Sequence, residues 1–317
     1  MHNVPVRFAG SPFTSLLANR HAICSDMIIM KPTNPPRTAA RTKKILVPTD
    51  FTKVVDYAMD HAMKLARAQG AEVYLLHMVS DADEEEVTQR RLNAEVERAM
   101  AIEGSVSVKT LIREGRVYAG IGEAAEEIGA ELIIMGTHGM RGMQFITGSR
   151  ALRVITNSNI PFIVVQERGL KANGYHDIVV PMDLQIETRQ KLGLVADMAA
   201  YFQSKVHVMV PNETDEFLHH QLNDNIAFAK KYFGERNIEV EAVVTDSGSG
   251  GFLDAVLAYS EKIDADLIAV MNMVGSNIFG ALGVPYEEKI ITNSAMIPVM
   301  LVNPANNTAG TSGWTFQ

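Results

Sequence analysis

The sequence predicts an α/β fold made of two tandem doubly wound domains, each a five-stranded parallel sheet flanked by four helices in a Rossmann-like arrangement. Three observations lead to this fold class: the length of the chain, a repeat within it, and the alternation of apolar and amphipathic segments. The chain has 317 residues, which is enough for two domains of roughly 150 residues each.

The repeat is the strongest of these observations. Four segments of the first half return in the same order in the second half, at a nearly constant displacement. The pairs are ILVPTD at 45–50 with IVVPMD at 178–183, VYLLHMV at 73–79 with VHVMVP at 206–211, AELIIMG at 130–136 with ADLIAVM at 265–271, and RVITNSNIPFIVV at 153–165 with KIITNSAMIPVMLV at 289–302. Such an ordered repeat indicates a tandem duplication. The polar, glycine-bearing segment Glu167–His176 is the predicted boundary.

Apolar stretches alternate with helical ones within the first half. Five stretches are β-branched and apolar on both faces, as is typical of parallel strands covered by helices: KILVP, VYLLHM, VKTLI, LIIMG and PFIVV. The segments between them have helical periodicity, and Gly70 and Gly129 stand where two of these helices should end. The expected domains and termini are residues 43–168 and 175–303 for the two domains, 1–42 for a disordered extension, and 304–317 for a tail.

Composition restricts the class of function. The net charge of −8 and the pI near 5.6 argue against a protein that binds nucleic acid, because phosphate backbones need a basic face. The single cysteine, Cys24, can form no internal disulfide, and no motif with metal-ligand spacing is found, so we expect no metal held by the protein itself. No apolar run reaches the length that suggests a membrane span. We therefore expect a cytoplasmic protein.

Asp50 directly follows the first predicted strand and precedes a helix. Position alone leaves two interpretations open. In the first, Asp50 caps the helix by accepting backbone N–H bonds. In the second, it accepts hydrogen bonds from a ribose or an adenine, because ligands of doubly wound sheets bind beyond the carboxyl ends of the strands.

A glycine-rich segment, MGTHGMRGMQFITGSR at 135–150, follows the fourth predicted strand. Gly136 and Gly139 allow a ligand to approach the backbone. Gly148 and Ser149 open the next helix, where free N–H groups and the helix dipole favour anions. The alternative is an ordinary turn followed by an N-cap serine. Four nearby polar side chains have two open interpretations, a phosphate contact or a solvated position: His138, Arg141, Arg113 and Arg116.

The glycine spacing is G-x2-G-x8-G-S, and it comes after VPTD on the first strand. This combination resembles the universal stress protein family, whose ATP-binding branch carries G-x2-G-x9-G-(S/T) on an adenine nucleotide alpha hydrolase-like fold. KKILVPTDF, LLHMV, IIMGTHG and TGS fit the blocks of that family, and the resemblance extends over residues 43–303 as two tandem copies. The middle gap has eight residues instead of nine, which leaves the geometry of a phosphate contact open.

The resemblance implies a site for ATP, with Mg²⁺ accompanying the nucleotide, in the first domain. Asp50 would bond to the ribose, the backbone of Met78 would meet the adenine, and Gly139 would approach the phosphates. The full set of implied cofactor-binding residues is Pro48, Thr49, Asp50, Met78, Gly136, Thr137, His138, Gly139, Gly148, Ser149 and Arg150. No catalytic residue is implied.

The second copy has lost the glycine motif, although it keeps an aspartate, Asp183, after its first strand. Other residues stand at the motif positions: Met271 or Asn272 for Gly136, Val284 for Gly148, and Pro285 for Ser149. Because proline has no N–H to donate, we expect the second domain not to bind ATP as the first does.

The resemblance implies a nucleotide-dependent regulator of stress responses, and we expect its two domains to form an intramolecular pseudo-dimer. A homodimer of whole chains is a further possibility, and the sequence identifies no protein partner. Two alternatives stay open: a slow ATPase or nucleotidyl-transferring enzyme on the same scaffold, and an interaction module whose glycine loop holds no nucleotide. No general base is evident beside the proposed phosphate site, which favours binding over fast turnover.

Overall fold

The computed structural model describes residues 42–79, 85–137, 148–272 and 286–304. The predicted extension and the predicted tail lie almost wholly outside these ranges. The described residues form ten strands and eight α-helices, five strands and four helices in each half of the chain.

The two halves have the same order of elements. The first half consists of β1 (Lys44–Pro48), α1 (Lys53–Gln69), β2 (Glu72–Val79), α2 (Glu85–Ile102), β3 (Val108–Glu114), α3 (Val117–Ile128), β4 (Leu132–Gly136), α4 (Gly148–Thr156) and β5 (Phe162–Val165). The second half consists of β6 (Asp177–Pro181), α5 (Leu192–Phe202), β7 (Lys205–Val210), α6 (Glu216–Gly234), β8 (Glu239–Val244), α7 (Phe252–Lys262), β9 (Leu267–Met271), α8 (Tyr286–Ile291) and β10 (Val299–Val302). Short 3-10 helices, Ile186–Arg189 and Ser249–Gly251, precede α5 and α7.

All ten strands lie in one sheet, in the order β3-β2-β1-β4-β5-β10-β9-β6-β7-β8. The strand pairs within each half are parallel. The halves meet through an antiparallel pair, β5 with β10, in which Ile163 lies opposite Met300. The predicted α/β class with doubly wound parallel sheets is confirmed, and the two sheets are continuous with each other.

Beside the first strand of each half, the side of the sheet on which successive strands are added changes. In the first half this switch point lies between β1 and β4, and in the second half between β6 and β9. The ladder between β1 and β4 covers only the pairs Ile45–Leu132 and Leu46–Ile133. The carboxyl ends of the two strands are therefore unpaired with each other, which is where doubly wound folds bind ligands.

Two apolar clusters cover the two faces of the sheet. Helices α1, α2, α5 and α6 bury their apolar side chains on one face, and α3, α4, α7 and α8 bury theirs on the other. Alternate strand residues supply each face, since successive side chains of a strand point to opposite sides. Within the described ranges, no helix is both long and apolar enough to cross a bilayer.

Glycine ends two of the helices, as the sequence predicts. Gly70 follows α1 with a φ of 65°, and its N–H bonds to the carbonyl of Ala66. Gly129 follows α3 with a φ of 66°. Both adopt the left-handed conformation that glycine reaches without a steric penalty.

One element differs from the sequence-based expectation, and one differs between the two halves. The stretch VKTLI is predicted to be buried on both faces, but β3 is half-exposed because it forms one edge of the sheet. In the second half, a 3-10 helix precedes α5, so that this helix begins only at Leu192.

Candidate functional site

The candidate site lies at the carboxyl edge of the sheet, at the switch point of the first half. β1 ends at Pro48 and leads into Thr49 and Asp50, while β4 ends at Gly136. The topology thus brings two of the sequence-predicted segments to the same edge. His138 and Gly139, like Arg141, lie outside the described residues.

Asp50 fixes the turn that starts α1. Its Oδ1 accepts a hydrogen bond from the backbone N–H of Thr52 at 3.0 Å and another from the Thr52 hydroxyl at 2.5 Å. Asp183 makes the same backbone contact in the second half, to Gln185 N–H at 2.9 Å. The turn-forming role is therefore common to both halves, and it uses only one carboxylate oxygen. No described residue is hydrogen-bonded to Oδ2 of Asp50.

Thr49 is a buried side chain that connects three elements. Its backbone N–H bonds to the carbonyl of Leu76 on β2 at 2.7 Å. Its hydroxyl accepts the N–H of Phe51 at 2.9 Å and donates to Glu95 Oε2 on α2 at 3.4 Å. Its carbonyl accepts a hydrogen bond from His77 Nδ1 at 2.7 Å, which fixes the tautomer of that imidazole. His77 therefore has the structural role that its apolar strand suggests.

Phe51 holds an unusual backbone conformation in the loop after β1. Its φ of 61° lies in the left-handed region, which costs a non-glycine residue free energy unless its surroundings enforce it. The ring lies 4.4 Å from the imidazole of His77, centroid to centroid. On α2, the guanidinium carbon of Arg91 lies 3.9 Å from the ring centroid. Helix α2 therefore helps to fix the backbone that presents Asp50.

Glu95, on α2, is a buried carboxylate beside the loop that follows β1. It accepts from Thr49 and pairs with Arg98, whose Nη2 lies 2.9 Å from Glu95 Oε1. Burial raises the pKa of the Glu95 carboxyl, and the charge of Arg98 opposes that rise. Sequence reasoning missed Glu95, although a signal existed: this carboxylate falls on the apolar stripe of α2 between Leu92 and Ala99, both fully buried.

Met78 lies where β2 extends beyond the end of β1. The carbonyl of Leu76 bonds to Thr49 on the β1 side, and the carbonyl of Val79 bonds to Gly115 on the β3 side. Because backbone groups alternate along a strand, the N–H and C=O of Met78 face the β1 side. β1 has ended at that level, so the Met78 backbone faces the switch point. The side chain of Met78 lies against helix α3, where a Cβ on Gly120 would be 2.4 Å from Met78 Cε.

Gly136 lies directly against helix α1. A Cβ at this position would stand 2.8 Å from Val54 Cγ1 and 3.1 Å from the Val54 carbonyl oxygen. Thr137, the next residue, is fully buried, and its N–H bonds to the carbonyl of Val165 at 2.8 Å. Close packing of α1 thus provides a reason for Gly136 that is independent of any ligand.

The start of α4 supplies the remaining described part of the glycine motif. The helix runs over nine residues from Gly148 and includes Ser149 and Arg150 in its first turn. The first N–H groups of a helix have no partner within the helix. They would therefore be available to an anion at this end of α4.

The sequence leaves two interpretations open for Arg113 and Arg116, a phosphate contact or a solvated position. Arg113, near the end of β3, points to α3, where its Nη1 lies 2.5 Å from Glu127 Oε2 and its Nη2 lies 4.0 Å from Glu123 Oε2. This pairing commits the guanidinium to helix α3. Arg116 stands at the N-cap position of α3 without a side-chain capping bond.

The fold and the geometry of the switch point define a doubly wound α/β protein with a candidate nucleotide crevice in its first half. Residues 41–166 match the model of the universal stress protein family. Universal stress protein MJ0531 of Methanocaldococcus jannaschii is 35% identical over 140 residues, which make up 39% of this chain and 82% of that protein. Universal stress protein G of Escherichia coli O157:H7 is 28% identical over 143 residues, 39% of this chain and 99% of that protein. The chain belongs to the universal stress protein family.

Solved structures match the whole two-part arrangement. A universal stress protein from Archaeoglobus fulgidus DSM 4304 superimposes with a TM-score of 0.68 and 20% identity, covering 84% of this chain and 100% of that chain. A protein of Pseudomonas aeruginosa UCBPP-PA14 gives a TM-score of 0.59 at 16% identity, covering 83% of this chain and 94% of that chain. At these identities the likeness concerns the fold alone.

Proposed function

We propose that the first half binds an adenine nucleotide, ATP with its accompanying Mg²⁺, and that the protein is a nucleotide-dependent regulator in stress responses. One observation carries the proposal: the backbone of Met78 faces the switch point beyond the end of β1. A strand edge of this kind offers an N–H donor and a C=O acceptor side by side. An adenine ring has the matching acceptor and donor on one edge.

The remaining predicted residues take roles around that edge in the proposal. The uncommitted Oδ2 of Asp50 accepts from ribose hydroxyls, while Oδ1 keeps the turn. Pro48, Thr49 and Thr137 shape the floor between β1 and β4. Gly136 and Gly139 leave space for the sugar and phosphates, His138 lies between them, and the N-terminal groups of α4 cradle the phosphate tail. The members of that last group are Gly148, Ser149 and Arg150.

We also propose that residues 43–168 and 175–303 act as domains of an intramolecular pseudo-dimer. Reciprocal contacts support this. Gln166, after β5, donates to the carbonyl of Asn293, after α8, at 3.0 Å. Asn303, after β10, donates to the carbonyls of Ile155 and Ser158 around the end of α4. Such exchange of equivalent contacts is typical of a two-fold interface. A homodimer and a cytoplasmic location stay predictions.

Calorimetric titration of ATP into the full chain tests the nucleotide proposal, together with mass spectrometry of nucleotide that co-purifies. We expect one ATP per chain. Gly148→Val should abolish binding, because the proposal has the phosphates approach the backbone at this glycine, and a branched side chain would oppose that approach. The matched change in the second half, Val284→Ala, should leave ATP affinity within about twofold.

Equal loss of affinity in both variants would contradict the assignment to the first half. No bound nucleotide and no heat of binding in the wild type would favour an interaction module without nucleotide. Assay of the same preparation for released phosphate separates binding from catalysis. Multiple turnovers that disappear in Asp50→Asn would favour a slow ATPase over a regulator that only binds.

A further inference from the structure

We infer that the first half holds a surface site for a short aliphatic amine, bound as its ammonium ion in a cleft between helices α1 and α2. The cleft encloses about 190 Å³. Six residues line it: Asp56, Met59, Glu95, Arg98, Ala99 and Ile102. All of them belong to the two helices, so this site is separate from both switch points of the sheet. The inference does not depend on the nucleotide proposal.

The polar and apolar residues lie at opposite ends of the cleft. Helices α1 and α2 run in the same direction, because each returns from the end of one parallel strand to the start of the next. Asp56 precedes Met59 on α1, and Glu95 precedes Ala99 and Ile102 on α2. Met59 and Ala99 are buried, while Ile102 is 40% exposed. The cleft therefore has carboxylates at one end and an apolar floor at the other.

Glu95 has few donors for a buried carboxylate. Among the described residues, only the Thr49 hydroxyl at 3.4 Å and Arg98 Nη2 at 2.9 Å donate to it. An ionised carboxylate has about four acceptor positions. Burial raises the pKa of the Glu95 carboxyl, Arg98 opposes the rise, and Asp56 adds to it. A further cation beside Glu95 would stabilise its charged form.

Arg98 is the cation that the chain itself supplies at this end of the cleft. Its side chain is 58% exposed, and its Nε lies 3.6 Å from Asp56 Oδ1. Exposed ion pairs of this kind contribute little stability. Two carboxylates, Asp56 and Glu95, share this one guanidinium, so the polar end of the cleft keeps a net negative charge. An ammonium is a compact charge with three donors, and it would complete the pairing.

The second half fills the corresponding sequence position with a cation of its own. Arg189 stands as far after Asp183 as Asp56 stands after Asp50. Its Nε donates to Oδ1 of the buried Asn225 on α6 at 2.9 Å, and its guanidinium carbon lies 4.5 Å from the ring centroid of Phe228. A cation on an apolar surface is thus part of the second half. The first half has an acidic residue there and an open cleft, which favours a cation from outside.

The size and lining of the cleft specify the ligand. A cavity of about 150 Å³ holds a benzene molecule, so this cleft has room for roughly six to eight non-hydrogen atoms. The carboxylates favour an ammonium group, and the apolar floor favours an alkyl chain. An alkyl carboxylate would be repelled by Asp56 and Glu95. An alcohol would fill the floor but leave the charge of Glu95 without a further partner.

Calorimetric titration of n-hexylammonium chloride into the full chain, without nucleotide, tests the inference. We expect one equivalent to bind per chain. Hexanol and hexanoate have the same alkyl chain without the positive charge, and they should bind at least about tenfold more weakly. Removing methylenes from the amine, from hexyl to butyl, should weaken binding by about threefold to fourfold for each one.

Three variants locate the site. Arg98→Gln should strengthen hexylammonium binding about threefold or more, because the two carboxylates lose their internal partner. Glu95→Gln should weaken it at least about tenfold, because the buried charge that pairs with the ammonium is gone. Asp224→Asn, which removes an exposed carboxylate of α6, is the control and should leave the affinity unchanged.

The gain expected for Arg98→Gln makes the test decisive, because loss of structure could not imitate it. The inference is overturned if hexylammonium does not bind, if hexanol or hexanoate binds equally well, or if Arg98→Gln leaves the affinity unchanged or lowers it. Melting temperatures of the variants show whether each is folded. Because no nucleotide is present in these titrations, a failure of ATP to bind would not alter their outcome.

Discussion

At the residue scale, the two halves differ at the last residue of their fourth strand and at the start of the helix that follows their first strand. Gly136 lets the first turn of α1 lie against the sheet at Val54. In the second half Met271 occupies this position and is buried. The space that a methionine needs agrees with the finding that a 3-10 helix, Ile186–Arg189, replaces the first turn there. The glycine is therefore part of the fold of the first half as well as of its proposed site.

Gly136→Ala should destabilise the protein even without nucleotide. The new Cβ would be 3.1 Å from the Val54 carbonyl oxygen, a backbone atom that cannot move without shifting α1. Overpacking of this kind costs about 1–3 kcal/mol, measurable by urea unfolding. Gly234→Ala is the control, since no atom lies within 4 Å of a Cβ there and α6 ends at that residue. Equal stability of both variants would show that α1 accommodates the methyl group.

Lys191 is a second residue whose effect can be measured. Burial lowers its pKa from 10.5 to about 8, and the charge of Asp183 opposes this shift. Since the folded protein binds this proton more weakly than the unfolded chain, the stability contribution of Lys191 should rise with pH between about 8 and 10.5, by about 3 kcal/mol in total. Below pH 8 the buried charge is a full cost.

Comparison of the wild type with Lys191→Met by urea unfolding at pH 7.5 and pH 9.5 checks this. The variant should be relatively more stable at pH 7.5, and the wild type should recover much of the difference at pH 9.5. Lys230→Met, at an exposed position of α6, should show no such dependence. A pH-independent difference for Lys191→Met would mean that the lysine titrates normally in the folded protein.

At the element scale, helix α2 determines the shape of the loop that carries Asp50. The contacts of Glu95 with Thr49 and of Arg91 with Phe51 hold the left-handed residue in place. In the second half α6 holds the equivalent loop differently, with Asn225 Nδ2 donating to the Asp183 carbonyl at 2.7 Å. Each switch point is therefore shaped by the helix that follows the second strand of its half.

Glu95→Leu should weaken ATP binding about tenfold or more, because the Thr49 hydroxyl loses its acceptor and the loop loses its fixed conformation. Glu95→Gln keeps an acceptor oxygen and should lose less than about threefold. Asn225→Leu, the matched change in the second half, should leave ATP affinity unaltered. Calorimetry on the three variants, with melting temperatures as a check on folding, provides the measurement. If Glu95→Gln lost as much ATP affinity as Glu95→Leu, the hydrogen bond between Thr49 and Glu95 would not be what fixes the loop.

The sequence predicts these elements well where local patterning decides them. The stretches KILVP and LIIMG coincide with β1 and β4, and Gly70 and Gly129 terminate the helices as expected. The sequence could not predict that VKTLI would be an edge strand, because burial there depends on which strand comes to lie beside it. Nor could it predict the contacts of Arg91 with Phe51 and of Glu95 with Thr49, since these residues meet only after α2 has packed on the sheet. The site list itself stays a prediction until a nucleotide titration tests it.

At the scale of the whole molecule, the segment between the halves is anchored on both sides. His61, in α1, is fully buried, with Nδ1 2.7 Å from the Tyr175 hydroxyl and Nε2 3.0 Å from the Arg168 carbonyl. A carbonyl can only accept, so Nε2 of His61 carries a proton and donates it. Arg168 reaches the second half, where its Nη2 lies 2.8 Å from Asp264. This segment therefore connects α1 directly to the second half.

Protonation of His61 should weaken this connection. Burial lowers the pKa of His61 to about 4 from 6.5. The unfolded chain takes up the proton first as pH falls, so stability is fully present above about pH 6.5 and is lost toward pH 4, by about 3 kcal/mol. Urea unfolding at pH 7 and pH 4.5 should show a smaller loss for His61→Leu than for the wild type. His220→Leu, on the exposed surface of α6, should lose as much as the wild type.

The antiparallel pairing of β5 with β10 has a consequence for what this chain can encode. Two identical subunits joined at this edge would carry two identical crevices, and a change in one would appear in both. Here a single polypeptide supplies both partners, so their association does not weaken on dilution. One half can keep Gly136, Gly148 and Ser149 while the other has methionine, valine and proline at the matching sequence positions. The duplication thus allows the two switch points to have different residues and different chemistry within a single chain.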